Sequence, residues 1–211
     1  MKVIDAHLHL SSDIDGTPEA AAAELAKQIE TAKIDRAIVL HLEMQGWDLE
    51  RFAAAIKPYK TIAGFANVDP TNPASKARLT LAKEKLGYIG LKLHPRLQNF
   101  KLTHPGVKEL CAHAGKLQLP VLIDAFPDGT HLMQGFHTSH FSDLAQQCPD
   151  TRFIWAHMGG HYVLDFMMLA KRLPNVYFDF SYSLLYYQKS AIPQNMVYAM
   201  QSMRFDRIFY G

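Results

Sequence analysis

Residues 3–10 read VIDAHLHL and residues 17–34 read TPEAAAAELAKQIETAKI. The first stretch has the period of a strand, the second that of an amphipathic helix. Thr17 suits the N-cap, Pro18 the first helical turn, and Glu19 the positive helix end. The same pair of patterns recurs along the chain. Strand-like runs lie at 36–42 (RAIVLHL), 61–68 (TIAGFANV), 88–94 (YIGLKLH), 119–125 (LPVLIDA), 151–157 (TRFIWAH), 176–181 (VYFDFS) and 206–211 (DRIFYG). Helical stretches separate them, and Pro58 ends the second of these. A long loop, FPDGTHLMQGFHTSH at 126–140, breaks the rhythm once. Uninterrupted apolar strands alternating with helices mean parallel strands covered by helices. A doubly wound open sheet reads similarly, but eight units with polar residues gathered at the strand ends favour a closed (β/α)8 TIM barrel.

One domain spanning 1–211 is expected. The chain stops at the eighth strand, so the expectation is a barrel truncated there, with the final helix and following residues not present. The 211 residues are 48% hydrophobic and 20% charged, with a formal net charge of +2. That composition excludes a disordered chain, and no Lys/Arg block points to nucleic acid or a charged membrane surface. The two cysteines, Cys111 and Cys148, are expected in helices as packing residues, which fits a reducing, cytoplasmic setting. The opening MKVIDAH carries no long apolar run, so neither a signal peptide nor a membrane span is expected.

Alternation places Asp5, His7 and His9 on one face of the first strand, with the histidines at its carboxyl end, where barrel active sites form. Two imidazoles at i and i+2 can converge on one ion, although two polar residues at a wet strand end look the same. Asp5, deeper, would orient an imidazole or hydrogen-bond near the barrel floor. His157 ends the sixth strand before a Gly159-Gly160 turn, and His161 follows that turn. In the fourth strand Lys92 and His94 share parity. A lysine inside a barrel needs an acid or a ligand beside it. Arg96, just beyond, suits a carboxylate clamp or is a solvated loop arginine. Asp124, in an otherwise apolar strand, is a metal ligand, a proton shuttle or the ion-pair partner of Lys92. Asp179 and Ser181 end the seventh strand on one parity, as rim or supporting groups, and His41 ends the second. The aromatic-rich stretch 180–189 suits a rim, an interface or a pocket wall, with adjacent Tyr186 and Tyr187 serving different surfaces.

HLH in the first strand, GLKLHPR at the fourth and FIWAHMGG at the sixth together resemble the amidohydrolase-related family. These are metal-dependent TIM-barrel hydrolases and decarboxylases that include the aminocarboxymuconate-semialdehyde decarboxylase group. The resemblance implies that His7 and His9 are metal ligands and that His157 orients or activates the attacking water. The family's fifth strand carries a histidine ligand where this chain has Asp124, and zinc accepts oxygen as well as nitrogen. A Gly-Ser-Asp follows the family's eighth strand, and this chain ends at the Gly211 position.

The function so implied is metal-dependent hydrolysis of a small carboxylated lactone, amide or ring compound through a metal-activated water. One divalent ion, zinc by preference, would be held by His7, His9 and Asp124, with His157 and Asp124 catalytic. Lys92, His94, Arg96, His161 and Asp179 would bind the anionic substrate. The alternative with the same site is nonoxidative decarboxylation of a small aromatic or unsaturated acid. A barrel without metal, serving in binding or assembly, is a third reading. No nucleic acid or membrane partner is expected, and a homodimer is one expectation.

Overall fold

Each apolar run becomes a strand and each amphipathic run a helix in the computed structural model, which describes residues 2–11 and 16–211. The first half runs β1 (Ile4–Leu8), α1 (Pro18–Thr31), β2 (Arg36–Leu40), α2 (Leu49–Ile56), β3 (Ile62–Asn67), α3 (Ser75–Glu84), β4 (Gly90–Leu93) and α4 (Pro105–Lys116). The second half runs β5 (Val121–Ile123), α5 (Gly129–Met133), α6 (Thr138–Gln147), β6 (Phe153–Trp155), α7 (Val163–Ala170), β7 (Val176–Asp179), α8 (Ser183–Tyr186), α9 (Ile192–Ser202) and β8 (Ile208–Phe209). Every neighbouring pair from β1–β2 to β7–β8 is parallel and follows chain order. The Ala6 N–H donates to the Tyr210 carbonyl at 2.8 Å, which links the run after β8 back to β1. This is a (β/α)8 TIM barrel in one domain.

Local chemistry accounts for the element ends. Thr17 caps α1 by accepting the Ala20 N–H on its hydroxyl, and Pro18 opens the helix. Asp48 caps α2 and Asp128 caps α5 in the same way. Strands five, six and eight are shorter than the apolar runs imply. Asp124 directly follows β5, with its N–H still donating to the Leu93 carbonyl of β4 at 3.0 Å, and His157 lies two residues past β6. Cys111 lies in α4, whereas Cys148 sits just past the end of α6. Both are buried and free.

Parity sorts the strand side chains into two layers. Val39, Ala66, Leu91, Leu93, Val121, Ile123, Trp155 and Phe178 face the helices in the main core, while Leu40, Phe65, Leu122 and Ile154 fill the barrel interior. A buried Leu or Phe contributes roughly 1.5–3 kcal/mol. The ion pairs linking the helix ring (Arg51–Glu19, Arg78–Glu50 and Lys76–Glu109) are exposed, and such pairs contribute about 0–1 kcal/mol each. The apolar layers therefore hold the barrel, and the ring of ion pairs adds little. No helix among the described residues is long and apolar enough to cross a membrane.

Candidate active site

The carboxyl ends of the strands meet in a cleft of about 460 Å³, and its wall begins at β1. That strand does not keep strict alternation. Asp5 pairs with Ala37 and Leu8 with Val39, so three steps along β1 match two along β2. The bulge puts Asp5 on the helix-facing side with Ala37, while His7 and His9 turn into the mouth. The common face expected for Asp5, His7 and His9 thus holds for the two histidines alone. Asp5 supports them differently, by accepting the His7 N–H on its carboxylate at 3.1 Å.

The two imidazoles are oriented by acceptors at Nδ1. His7 Nδ1 lies 3.0 Å from Asp179 Oδ2, and His9 Nδ1 lies 2.9 Å from the Leu40 carbonyl. Neither acceptor can donate, so each Nδ1 carries the proton and each Nε2 keeps its lone pair. His7 is buried and His9 is exposed at the rim. Burial lowers the pKa of His7 to about 4, so this ring is neutral at pH 7.

β4 points Lys92 and His94 inward, with Arg96 beyond. Lys92 is fully buried, its Nζ has no hydrogen-bond partner, and burial lowers its pKa. The ion pair with Asp124 that the sequence allowed does not form within 4.0 Å. Burial likewise takes His94 down to about 3. Arg96 is steered by Asp128, with Nη1 3.0 Å from Oδ2.

Asp124 is the most crowded acid. Its Oδ1 lies 3.2 Å from His157 Nε2. Its Oδ2 is buried without a hydrogen-bond partner, though His94 Nδ1, His131 Nδ1 and Arg96 Nη2 stand 3.5, 3.8 and 4.0 Å away. Burial alone would raise its pKa, but the hydrogen bond from His157 and the surrounding positive charge outweigh it and hold the carboxyl low.

His157 sits on a turn of four consecutive left-handed residues, with φ of 62° at His157, 49° at Met158, 72° at Gly159 and 56° at Gly160. A non-glycine residue in this region is strained. Here His157 is held from both sides, its N–H donating to Asp179 Oδ1 at 3.1 Å and its carbonyl accepting from Ser183 Oγ at 2.8 Å. A Cβ on Gly159 would lie 2.0 Å from the Phe166 ring, so the turn needs that glycine for space as well as for φ. Burial pushes the His157 ring down, but the Asp124 hydrogen bond and both aspartate charges lift it above the ordinary value. A ring hydrogen-bonded at Nδ1 to the Ser181 carbonyl and at Nε2 to Asp124 is therefore imidazolium-like.

The side chains of His7, His9, Lys92, His94, Arg96, Asp124 and His157 all line this one cleft. Asp179 does not line it. It is fully buried beneath His7. His161 is exposed and outside the lining, with Nδ1 3.1 Å from the Tyr187 hydroxyl. His41 is buried against the Trp47 carbonyl. Sequence reasoning passed over His131, in the loop at 126–140, and the cleft wall Phe126, whereas Tyr182 and Leu185 belong to the stretch 180–189 for which a pocket wall was one expectation. The signal for His131 was Asp128 three residues before it, an N-cap spacing that makes α5 and brings the ring to the Phe126 carbonyl at 2.7 Å. Tyr186 and Tyr187 do not serve different surfaces, since both rings pack on Phe126.

Nε2 of His7 and His9 and the unsatisfied Asp124 Oδ2 are nitrogen and oxygen donors of the kinds that zinc takes. Among the described residues, the group that brings one potential ligand atom each within 4.8 Å of one another is His7, His157 and Asp179, and not His7, His9 and Asp124.

The sequence model of the amidohydrolase family matches residues 4–211. No curated protein matches the chain by sequence. Solved structures match in fold. An uncharacterised TIM-barrel protein from Bordetella bronchiseptica is similar at 17% identity and a TM-score of 0.81, over 100% of this chain and 85% of that one. A zinc-bound amidohydrolase from Burkholderia multivorans gives 11% and 0.68, over 100% and 84%. A 5-carboxyvanillate decarboxylase from Sphingomonas paucimobilis gives 11% and 0.67, over 100% and 88%.

Proposed function

This chain belongs to the amidohydrolase family, and we propose that within it the protein is a metal-dependent hydrolase of a small carboxylated lactone, amide or ring compound. One observation carries the reading. Two buried groups of opposite sign, Asp124 Oδ2 and Lys92 Nζ, lack hydrogen-bond partners at the same cleft. A buried polar atom without a partner is costly, so a cation at Asp124 Oδ2 and an anion at Lys92 Nζ would relieve both.

His7, His9 and Asp124 would hold the cation, and zinc suits their nitrogen and oxygen donors; the similar Burkholderia protein has zinc bound. When bound, such an ion supplies Lewis acidity and makes water more acidic. Arg96, braced by Asp128, grips the substrate carboxylate through its planar fork. Lys92 supplies a second positive group from below. His157 holds a proton at Nε2 with Asp124 Oδ1 as its partner, and is placed to pass it between water and leaving group. His94, buried in the cleft lining, contacts the substrate. His161, outside the lining, has no role in this reading.

Decarboxylation is the second reading. The aromatic walls Phe126 and Tyr182 suit a planar unsaturated acid, and the motifs resemble the aminocarboxymuconate-semialdehyde decarboxylase group. Zinc-loaded protein given a carboxylated lactone and, separately, an aromatic carboxylic acid separates the two. Ring opening of the lactone, lost on chelation and restored by zinc, is expected. Release of carbon dioxide from the acid alone would establish the second reading, and turnover of neither would overturn both.

A further inference from the structure

Asp179, beneath the cleft, and Ser181, in its lining, both stand at the end of β7 and touch two of the cleft's histidines, His7 and His157. We infer that these two residues form one clamp that fixes the tautomer and rotation of both His7 and His157, with Asp179 acting through them as a positioning residue and not as an ion ligand. The inference rests on the site reading above, because it supposes that the Nε2 atoms face the chemistry.

Count the acceptors first. Asp179 Oδ2 takes His7 Nδ1–H at 3.0 Å. Its Oδ1 takes the His157 N–H at 3.1 Å, the Ser181 N–H at 3.1 Å and the Ser181 hydroxyl at 2.5 Å. A carboxylate offers about four lone-pair positions, so four hydrogen bonds leave little for a cation. The group is also fully buried. For His7, His157 and Asp179 to become a three-ligand site, Asp179 would have to release these bonds.

Ser181 then joins the two rings. Its hydroxyl gives its single hydrogen to Asp179 and stands 3.0 Å from Nδ1 of both His7 and His157. Its carbonyl stands 2.9 Å from His157 Nδ1. A carboxylate and a carbonyl only accept, so both rings must carry hydrogen on Nδ1. Both Nε2 atoms are thereby aimed away from the clamp. The bond from the His157 N–H to Asp179 also secures the left-handed backbone that presents the ring. Orientation of a ligating imidazole through its other nitrogen is worth roughly 10–100-fold in metal affinity.

The test uses metal-free protein with nitrogen-15 histidine and long-range proton–nitrogen NMR at pH 8. Wild-type His7 is expected as the Nδ1–H tautomer. In Asp179→Asn, His7 should shift toward Nε2–H. His9, whose Nδ1 bonds to the Leu40 carbonyl, should not change and serves as the internal control. Zinc affinity measured by chelator competition should fall about 10–100-fold, with far-ultraviolet circular dichroism unchanged. If Asp179→Asn does not fold, the wild-type spectrum still decides, because His7 and His157 should both carry hydrogen on Nδ1 and an Nε2–H tautomer at His7 overturns the inference. An unchanged His7 tautomer in the folded variant overturns the inference, as does complete loss of zinc binding in Asp179→Asn with the tautomers intact. The NMR readout needs neither metal nor substrate, so it fails or stands separately from the proposed hydrolysis.

Discussion

Arg96 shows how a single residue is prepared. Its Nη1 is braced 3.0 Å from Asp128 Oδ2, and the same carboxylate caps α5 through the His131 N–H at 2.8 Å. One acid therefore sets both the guanidinium and the helix that carries His131. Replacing Arg96 by lysine keeps the charge and loses the planar fork. A charge-assisted hydrogen bond contributes about 1.5–3 kcal/mol, so Arg96→Lys should raise KM for a carboxylated substrate roughly 10–100-fold and leave kcat within a few-fold. Steady-state kinetics on the zinc-loaded protein checks this. The residues that the sequence singled out at strand ends meet in one cleft because parity and strand polarity decide where they point. Lys92, His94 and Asp124 were legible for that reason. His161 was not, because it lies beyond a left-handed turn whose direction no periodicity encodes. Asp179 was legible as inward-facing, but its place beneath His7 depends on contact between the first and seventh strands, which are 172 residues apart.

At the scale of an element, β1 departs most from its pattern. Alternation in VIDAHLHL implies one face for Asp5, His7 and His9, and the bulge between Asp5 and Leu8 breaks it. Bulges re-aim side chains next to active sites. This one turns His7 and His9 into the mouth while the Asp5 carboxylate satisfies the His7 N–H that the irregular ladder leaves free. Asp5→Ala should leave that buried donor unpaired and lower stability by about 1–3 kcal/mol, measured by urea denaturation. An unchanged midpoint would mean that the bulge does not need Asp5. Two short helices, α5 and α8, were not legible, since five and four residues are too few for a 3.6-residue period to show.

For the whole molecule, the cleft makes the barrel sensitive to acid. His7 and His94 have folded pKa values lowered to about 4 and about 3, against 6.5 unperturbed. Between these values the unfolded chain binds protons that the folded chain refuses, so stability falls as pH drops from about 6.5 toward 4. Each such histidine costs up to about 1.4 kcal/mol per pH unit over that window. His157 opposes the trend, because its raised pKa gives stability that is present below 6.5 and is lost as pH rises through its folded value. The lowered carboxyls of Asp124 and Asp179 contribute above about 3.8, and that contribution is lost below it. The Tm of metal-free protein should therefore decline from neutral pH toward pH 4, and His94→Gln should flatten the decline. A flat profile in the wild type would contradict the burial of these rings.

The most direct test of the account is the stoichiometry of zinc binding. Equilibrium dialysis against zinc followed by metal analysis should give one ion per chain in the wild type and in His161→Ala, and none retained in His7→Ala or Asp124→Ala. Absence of bound zinc in the wild type, or undiminished binding without His7 and without Asp124, would contradict the claim that this cleft is a metal centre.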